Sequence, residues 1–453
     1  MSLDAFKKEV LNKNISVIGM GISNRPLIKY LLELGANVTA YDMRDKEKLG
    51  DIYDEFTKLG VKIICGENYL DDLSGEIIFK TPGLRFDHPA LLRAKEEGSK
   101  ITSEMEVFFD VCPGNIIAIT GSDGKTTTTT LIHKMMTDSG YNTYLGGNIG
   151  NPLLTEAEKM CEDDWIILEL SSFQLHTIKK SPKIAVITNL SPNHLDYHKD
   201  YQEYIDAKKN IMLYQGENDK LIVNRSNAET YKIGMEAKGE LTEFSSKEDA
   251  YITLKDGVII RGGDAVLKVS DIKIPGMHNV ENFMAAIGAV EGLVSDEVIV
   301  NVAKTFGGVP HRIELVRTLD GVRYYNSSID SSPNRSINTL NVFKEKVIMI
   351  AGGKDKGIPY DEIGPALRDK VKTLILIGKT ADKIEEALKN AGGENVPVIR
   401  CESYEEVVAT ARSIAKDGDT VLLSPASTSF DMFANFEERG NLFKKLVNQL
   451  NEV

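Results

Sequence analysis

A chain of 453 residues with 42% hydrophobic and 27% charged residues has the composition of a soluble globular protein. At roughly 150 residues per domain, we expect about three domains. The formal net charge of −13 at pH 7 argues against nucleic acid as a partner, because a phosphate backbone attracts a basic face. Small anionic ligands are compatible with this charge, since glycine turns and a few local cations are enough to hold them.

The cysteines and the N-terminus predict a cytoplasmic location. The four cysteines are scattered without the spacing of metal ligands and fit reduced thiols. Met1–Lys13 alternates charged with single apolar residues, which is not the pattern of a signal peptide. No apolar run approaches the ~18–20 residues that cross a bilayer, so we expect no membrane partner.

The first segment is typical of a βαβ unit. The apolar run Ile15–Ile18 predicts a strand that ends at Gly19–Gly21, and a helical pattern then leads to the strand Val38–Tyr41. Asp42 comes about twenty residues after the glycines, where dinucleotide folds place an acidic ribose contact. Because Asn24 occupies the place of the third glycine, the motif argues against NAD and leaves room for another nucleotide diphosphate. An ordinary tight turn explains this motif equally well.

A second ligand loop is expected later in the same domain. Ile77–Phe79 predicts a strand, and Lys80–Leu84 follows its C-terminal end, where ligands collect in open α/β sheets. We expect this first domain to span residues 1–104 and to close near Glu104–Cys112.

The segment Thr120–Thr126, with the sequence T-G-S-D-G-K-T, predicts a phosphate-binding loop. The buried strand Ile116–Ile119 precedes it, and a threonine-rich helix start follows. Backbone N–H groups at such a helix start bind phosphate, the Lys125 amine would reach the β- and γ-phosphates, and the Thr126 hydroxyl would bind Mg²⁺. The spacing is shorter than G-x-x-x-x-G-K-[ST], because position 119 is Ile. An ordinary Gly-Lys turn is the alternative, and the flanking strand and helix disfavour it.

Polar residues follow the next predicted strands. Trp165–Leu168 leads to Glu169, and Ile184–Ile187 leads to a segment that contains His194. Taken singly, Glu169 is equally well a helix-start carboxylate and His194 a surface histidine. On consecutive strands after a phosphate loop, the two together favour a metal site.

Three further features belong to the predicted central domain, residues 105–309. Lys208 lies on the helix Tyr201–Met212, where a lone lysine is usually solvated. Ala250–Ile274 alternates around an Asp-Gly turn, which predicts a β-meander at one edge of the ATPase core. Asn279 and Asn282 are three residues apart at the start of a helix, so they share a face that can reach a ligand; a capping role for Asn279 is the alternative.

The third predicted domain, residues 310–453, begins after a hinge at Phe306–Pro310. The βαβ rhythm returns there, with strands predicted at Val347–Ile350, Leu374–Ile377, Val398–Arg400 and Thr420–Leu423. Polar segments follow the first and last of these strands, at Gly352–Gly357 and Ser424–Phe430. Since no phosphate fingerprint occurs, we expect cations and hydroxyls that bind a small substrate.

Together these motifs resemble the Mur ligase family over essentially the whole chain. The motifs that carry the resemblance are the short phosphate loop, E-L-S-S-F-Q-L at Glu169–Leu175, T-N-L-S-P-N-H-L-D-Y-H at Thr188–His198, H-N-V-E-N at His278–Asn282, G-G-V-P-H-R at Gly307–Arg312, and the segment Leu423–Gly440, which ends in N-F-E-E-R-G. E-L-S-S-F-Q-L looks in particular like the members that add D-glutamate, and so do the three motifs that follow it in the chain; the last segment completes the set.

The resemblance implies an α/β fold of three domains: a Rossmann-like UDP-binding domain, a central P-loop ATPase domain with a small extra β-sheet, and a C-terminal Rossmann-like domain. It implies an ADP-forming ligase of peptidoglycan synthesis that joins D-glutamate to UDP-N-acetylmuramoyl-L-alanine through an acyl phosphate. ATP, two Mg²⁺ ions and a monomeric state are implied in the same way. The third domain is expected to move so that it delivers D-glutamate.

The resemblance also assigns residues to each ligand. Catalysis falls to Lys125, Glu169, His194 and Lys208. Metal binding falls to Thr126, Glu169, His194 and Lys208, the last as an N-carbamate. ATP binding falls to Gly121, Ser122, Asp123, Gly124, Lys125, Thr126, Thr127, Asn279, Asn282, His311 and Arg312. UDP-sugar binding falls to Gly19, Gly21, Ser23, Asn24, Asp42, Met43, Arg44, Thr81, Pro82, Gly83, Asn148 and Ser171. D-glutamate binding falls to Ser331, Lys356, Ser429, Phe430, Asn435 and Phe436.

One loop departs from the family pattern. Tyr325–Ser331 reads Y-N-S-S-I-D-S where Y-N-D-S-K-A-T is common. Ser327 replaces an aspartate expected at the ATP ribose, and Ile329 replaces a lysine near the amino-acid site. We expect Asp330 to supply the missing acid and Lys354 the missing charge.

Other activities fit part of the sequence. A related Mur ligase, or a ligase like folylpolyglutamate synthase, would add another amino acid. A nucleotide-switch ATPase would need no second anion-binding domain, and a dehydrogenase fits least well because of Asn24 and the phosphate loop. Testing D-glutamate against other amino acids, with and without the UDP-sugar, distinguishes these activities.

Overall fold

Parallel strands that alternate with helices build the N-terminal part of the chain. A computed structural model describes residues 1–21, 23–150, 152–194, 197–355 and 358–452. The chain divides into two compact units, residues 1–272 with 277–304, and residues 273–276 with 305–453. Among the described residues, no helix is both long and apolar enough to span a bilayer.

The first sheet of unit one contains β1 Asn14–Ile18, β2 Asn37–Asp42, β3 Lys62–Cys65, β4 Ile77–Phe79 and β5 Lys100–Thr102. The helices around it are α1 Leu3–Val10, α2 Asn24–Glu33, α3 Lys46–Leu49, α4 Asp51–Lys58, α5 Pro89–Glu96 and α6 Glu104–Val111. The strands are parallel in the order β3-β2-β1-β4-β5. Because β1 lies between β2 and β4, the loops that follow these three strands meet at one edge.

The second sheet of unit one contains β6 Asn115–Thr120, β7 Thr143–Gly147, β8 Trp165–Glu169, β9 Ile184–Ile187, β10 Lys220–Asn224, β11 Glu240–Ser245, β12 Ile252–Lys255, β13 Val258–Arg261 and β14 Asp264–Lys268. The accompanying helices are α7 Lys125–Asp138, α8 Ser172–Leu175, α9 Tyr201–Leu213, α10 Ala228–Gly234, α11 Met277–Ala289 and α12 Asp296–Thr305. Short 3₁₀ segments cover Leu154–Lys159 and Val269–Asp271.

The predicted meander lies at the edge of this sheet. The strand order is β14-β13-β12-β11-β10-β9-β6-β8-β7, with antiparallel pairing only along β12–β13–β14. Asp256 and Gly257 both have positive φ, 49° and 73°, as a two-residue hairpin turn requires. Because β12 pairs with β11, the meander extends the central sheet, where the sequence predicted a small extra one.

Unit two is built on a third sheet. Its strands are β15 Glu314–Leu319, β16 Val322–Asn326, β17 Val347–Ala351, β18 Val371–Leu376, β19 Val398–Arg400 and β20 Thr420–Leu423. Its helices are α13 Pro333–Val342, α14 Gly364–Lys370, α15 Ala381–Asn390, α16 Tyr404–Ile414 and α17 Phe436–Asn448, with a 3₁₀ turn at Asp361–Ile363. The order is β15-β16-β20-β17-β18-β19, and only the β15–β16 hairpin is antiparallel. The carboxyl ends of β17 and β20 are therefore neighbours, which brings the predicted polar segments together.

Candidate active site

The phosphate loop joins β6 to α7 as the sequence predicts. Gly121 has φ +149° and Gly124, the residue that precedes α7, has φ +77°. A Cβ atom at Gly121 would overlap the Thr188 hydroxyl, and one at Gly124 would overlap the Asn282 side chain. Both positions therefore require glycine for conformation and for space.

Neighbouring strand ends fix this loop. The Lys125 Nζ donates to the carbonyl oxygens of Gly121 and Ser122 at 2.9 and 2.8 Å, so the amine lies over the loop. The Thr188 hydroxyl donates to Asp123 O at 2.6 Å, and Asp123 N donates to Asn189 Oδ1 at 2.9 Å. Thr188 and Asn189 directly follow β9, so the end of this strand helps to position the phosphate loop.

Glu169 is placed beside the loop by the sheet. It is the last residue of β8, in register with Ile119 of β6, and it is 2% exposed. Its Oε1 accepts a hydrogen bond from Asn148 Nδ2 at 2.7 Å, and no donor among the described residues reaches its buried Oε2. A buried carboxylate oxygen without a donor costs free energy that a bound cation would offset, so this position fits Mg²⁺.

Lys208 is a buried residue, not the solvated helical lysine that its sequence context suggests. It is 2% exposed on α9. Its Nζ donates to Thr120 Oγ1 at 3.1 Å and to Gly121 O at 2.8 Å, directly beneath the phosphate loop. Burial first, and then the positive charge of Lys125, hold the pKa of the Lys208 amine well below its usual value. The neutral amine is the form that reacts with CO₂.

Other predicted residues surround Glu169 and the loop. Ser171 N-caps α8 in a capping box with Gln174, which gives the E-L-S-S-F-Q-L motif a structural reason. Asn148 contacts Glu169 through its backbone as well as its side chain, with N donating to Glu169 O at 2.7 Å. His194 lies on the exposed loop after β9, and its ring centroid is 5.0 Å from that of Phe173.

A cavity adjoins the loop on the side of α11. Asn282 Nδ2 donates to Asn279 Oδ1 at 3.1 Å, so the two asparagines share a face as predicted. The Thr128 hydroxyl donates to Asn282 Oδ1 at 3.3 Å. The cavity measures about 390 Å³ and is lined by Asp123, Gly124, Thr188, Asn189, Phe244, His278, Glu281 and Asn282. Its position beside the phosphate loop suits a nucleoside.

The loops after β1, β2 and β4 meet at one edge of the first sheet. Both Asp42 oxygens are engaged, by Met20 N at 2.7 Å and by Arg44 at 2.8–2.9 Å. The side chain of Asn24 donates to Ile18 O and Gly19 O. Asp42 and Asn24 therefore organise these loops, whereas Met43 is 71% exposed. The remaining predicted residues here, Gly21, Ser23, Thr81, Pro82 and Gly83, lie in the same loops.

In unit two, predicted residues converge around α17. His311 is buried, and its Nδ1 lies 3.0 Å from Asn326 Nδ2; burial lowers its pKa. The His311 ring stands edge-on to that of Phe436 at 5.9 Å between centroids.

The other predicted residues of unit two lie at the start of α17 and on nearby loops. Asn435 N-caps α17. Ser429 is buried and Phe430 is 60% exposed on the segment after β20. Arg312 and Ser331 lie on adjoining loops, and Lys356 lies outside the described residues.

Comparison with known proteins gives the family. Family models match residues 13–103 (Mur ligase MurD-like, N-terminal domain), 119–290 (Mur ligase middle domain) and 311–427 (Mur ligase, glutamate ligase domain). A UDP-N-acetylmuramoylalanine–D-glutamate ligase of Acetivibrio thermocellus is 54% identical over 99% of both chains. One of Ruminiclostridium cellulolyticum is 53% identical over 99% of both chains. This chain is a Mur ligase.

Solved Mur ligase structures share the fold of this Mur ligase. UDP-N-acetylmuramate-alanine ligase MurC from Thermotoga maritima aligns with a TM-score of 0.57 at 19% identity, covering 96% of this chain and 98% of that one. MurF from Acinetobacter baumannii aligns with a TM-score of 0.57 at 15% identity, covering 98% and 92%. The predicted family and three-domain α/β fold are confirmed.

The loop Tyr325–Ser331, which departs from the family pattern, buries the acid that was expected to replace the lost aspartate. Asp330 is 4% exposed and accepts a hydrogen bond from the Ser424 hydroxyl at 2.8 Å, with Ser327 as a further hydroxyl partner. Burial raises the pKa of this carboxyl. The burial of Asp330 and its hydroxyl partners argue against a contact with the ATP ribose, which stays a prediction.

Sequence reasoning missed two arginines of this Mur ligase. Arg439 is 1% exposed and donates to Ser328 Oγ, Ser328 O and Ser427 O at 2.8–3.0 Å, which ties the loops after β16 and β20 together. The N-F-E-E-R-G motif contains Arg439 and was the available signal. Arg85, in the loop after β4, had no signal, because Tyr197 and Glu203, two of its three partners, are 112 and 118 residues away in sequence.

Proposed function

We propose that this Mur ligase joins D-glutamate to UDP-N-acetylmuramoyl-L-alanine with conversion of ATP to ADP and phosphate. The relatives that are 54% and 53% identical over nearly their full length bear the name of that activity. The observation that carries the proposal is one cluster in unit one. It contains the phosphate loop, the buried amine of Lys208 and a buried Glu169 oxygen that accepts no hydrogen bond from the described residues.

The first step is phosphoryl transfer. The alanine carboxylate of the UDP-sugar attacks the γ-phosphorus of ATP, the bond to the β-γ bridging oxygen breaks, and an acyl phosphate and ADP form. Lys125 and the loop N–H groups hold the phosphates in line, which such a transfer mainly requires. The UDP-sugar would be bound by the loops after β1, β2 and β4.

The metal site would be completed by a modified lysine. The neutral amine of Lys208 attacks CO₂, forms an N–C bond and loses a proton, which leaves an anionic carbamate. Thr126, Glu169, His194 and this carbamate would then hold Mg²⁺, and we propose two ions. Bound Mg²⁺ neutralises the charge that develops on the transferred phosphoryl group.

The second step forms the amide bond. The D-glutamate amine attacks the acyl carbonyl, the C–O bond to phosphate breaks, and the amine proton is released with inorganic phosphate. Residues of unit two would bind the D-glutamate carboxylates, namely Ser331, Lys356, Ser429, Phe430, Asn435 and Phe436. The backbone N of Lys354 donates to Thr428 O at 2.8 Å, next to Ser429 in sequence, and the Lys354 side chain is exposed. Lys354 would therefore supply the positive charge that is lost at Ile329.

The remaining proposals concern organisation. We propose domain limits at residues 1–104, 105–309 and 310–453, a monomeric state and a cytoplasmic location. His311 and Arg312 would contact ATP from unit two, and Asn279 with Asn282 would bind adenine.

The test is phosphate release from ATP with UDP-N-acetylmuramoyl-L-alanine and either D-glutamate, L-glutamate, lysine or no amino acid. Release that requires the UDP-sugar and D-glutamate supports the proposal. A second candidate is addition of another amino acid, which Ile329 favours because a family lysine is lost there; release with L-glutamate or lysine would support it. Turnover that is indifferent to the UDP-sugar contradicts both.

A further inference from the structure

Arg85 makes a concentrated set of ionic contacts outside the phosphate site. Within the described part of the chain, each of its five guanidinium N–H groups donates a hydrogen bond. Asp87 accepts bonds at 2.8 and 2.9 Å, Glu203 accepts bonds at 2.9 and 3.0 Å, and Tyr197 O accepts one at 2.6 Å. Arg85 holds the pKa of each carboxyl at about 2, so both carry full charge at neutral pH.

These contacts join two segments that are expected to bind different ligands. Arg85 lies just after Thr81–Gly83, which is expected to bind the UDP-sugar. Tyr197 donates from its N to His194 O at 3.1 Å and from its hydroxyl to Pro82 O at 3.2 Å. The expected UDP-sugar loop and the segment with His194 are therefore fastened to each other.

Glu203 extends this connection to the ATP site. Glu203 lies in the first turn of α9. The next residue of this helix is Tyr204, and its hydroxyl is 2.9 Å from Ser122 Oγ in the phosphate loop. One turn further on, Lys208 contacts Gly121 O. Because α9 is a hydrogen-bonded helix, fixing its first turn also fixes the residues that contact the phosphate loop.

The same contacts argue against a cation site. His176 Nε2 and His198 Nδ1 lie 3.9 and 3.6 Å from the oxygens of Glu203. Both oxygens already accept bonds from Arg85, and the guanidinium charge opposes a further cation. The cluster is therefore an ionic connection between segments.

We propose that Arg85 is a positioning residue that couples UDP-sugar binding to ATP binding. The inference rests on the proposed function. A UDP-sugar on Thr81–Gly83 restricts that loop, and Arg85 passes the restriction to α9 and to the His194 segment. Part of the conformational entropy that the ATP site loses on binding ATP is then already lost when the UDP-sugar is bound. Each ligand therefore raises the affinity for the other by the same factor.

Calorimetry with a non-hydrolysable ATP analogue measures this factor. The analogue is titrated with and without saturating UDP-N-acetylmuramoyl-L-alanine, in the absence of amino acid. In the wild-type protein we expect the UDP-sugar to tighten binding about 5-fold or more, the usual scale of such coupling. In Arg85→Met and in Glu203→Gln we expect the ratio to fall close to 1. A purely structural role would lower both affinities and the unfolding temperature but leave their ratio unchanged.

Two further variants keep the test decisive. Arg85→Lys has three donors in place of five and should retain part of the ratio. Lys13→Met removes an exposed ion pair to Glu76 in the same domain and should retain all of it. If Arg85→Met does not fold, Glu203→Gln and Arg85→Lys decide the question.

The wild-type arm separates the two proposals. Absence of UDP-sugar binding overturns the proposed function. Binding of the UDP-sugar with a wild-type ratio of 1 overturns the coupling but leaves the ligase in place. A wild-type ratio that survives in both Arg85→Met and Glu203→Gln overturns the assignment to Arg85 alone.

Discussion

Replacing Lys208 by Met should separate activity from stability. The substitution removes hydrogen bonds to Thr120 Oγ1 and Gly121 O, worth about 1 kcal/mol each. It also removes the cost of burying an amine or ammonium group, which is several kcal/mol, while the side-chain volume stays similar. We therefore expect the free energy of unfolding to stay within about 1 kcal/mol of the wild-type value or to rise. Ligase activity should fall ~100-fold or more, because the proposed carbamate ligand of Mg²⁺ is lost.

The neighbouring lysine provides a matched control. Lys209 is on the same helix but forms a partly exposed ion pair with Glu236, its Nζ donating at 2.7 Å. Lys209→Met should change the free energy of unfolding by about 0.5 kcal/mol or less and leave activity intact. Urea unfolding and phosphate release measure the two quantities. The reasoning is refuted if Lys208→Met keeps activity within ~3-fold of Lys209→Met, or if it loses more than ~3 kcal/mol of stability.

Three further predictions concern single positions. Glu104 is buried, and burial raises the pKa of its carboxyl, so the folded state disfavours the ionised form. The free energy of unfolding therefore falls as the pH rises above the ordinary pKa of a glutamate. Glu104→Gln should raise the melting temperature at pH 7, and the gain should shrink toward pH ~4.5. The control is Glu96→Gln, which changes an exposed carboxyl and should leave the melting temperature at pH 7 unchanged. Ser327→Asp should cost about 3 kcal/mol in urea unfolding, because it places a second carboxylate beside buried Asp330, and adding Asp330→Ser should restore most of the loss. Gly124→Ala should raise the KM for ATP ~10-fold or more with an unchanged KM for the UDP-sugar; an unchanged ATP value would contradict the need for glycine there.

Much of the fold was predictable because its strands are buried on both faces. Runs such as Ile116–Ile119 and Ile184–Ile187 are continuous and apolar, and the structure has strands at both places. The hairpin β15–β16 was missed. Most β15 residues are only partly buried, so the strand lacks a clear apolar run. The meander was predicted from its Asp-Gly turn, but its pairing with β11 depends on neighbours that periodicity does not reveal.

The candidate site was predictable where its polar residues directly follow a strand. It was less predictable where its contacts join residues that are far apart in sequence. The phosphate loop and Glu169 were predicted from strand, glycine and carboxylate placement, and the structure brings them together. The burial of Lys208 was not predictable, because a helical lysine has no local sign of what packs on it. The burial of Asp330 was not predictable either, since hydroxyl partners such as Ser424 come from a strand end far along the chain.

The path of oxygen atoms tests the central claim most directly. UDP-N-acetylmuramoyl-L-alanine labelled with ¹⁸O in its alanine carboxylate is converted with ATP and D-glutamate, and the released phosphate is analysed by mass spectrometry. Attack of the carboxylate on the γ-phosphorus, followed by amide formation, predicts that the phosphate carries ¹⁸O from the carboxylate. Phosphate without the label, released at the rate of product formation, would contradict the acyl-phosphate mechanism and leave the phosphate loop with another role.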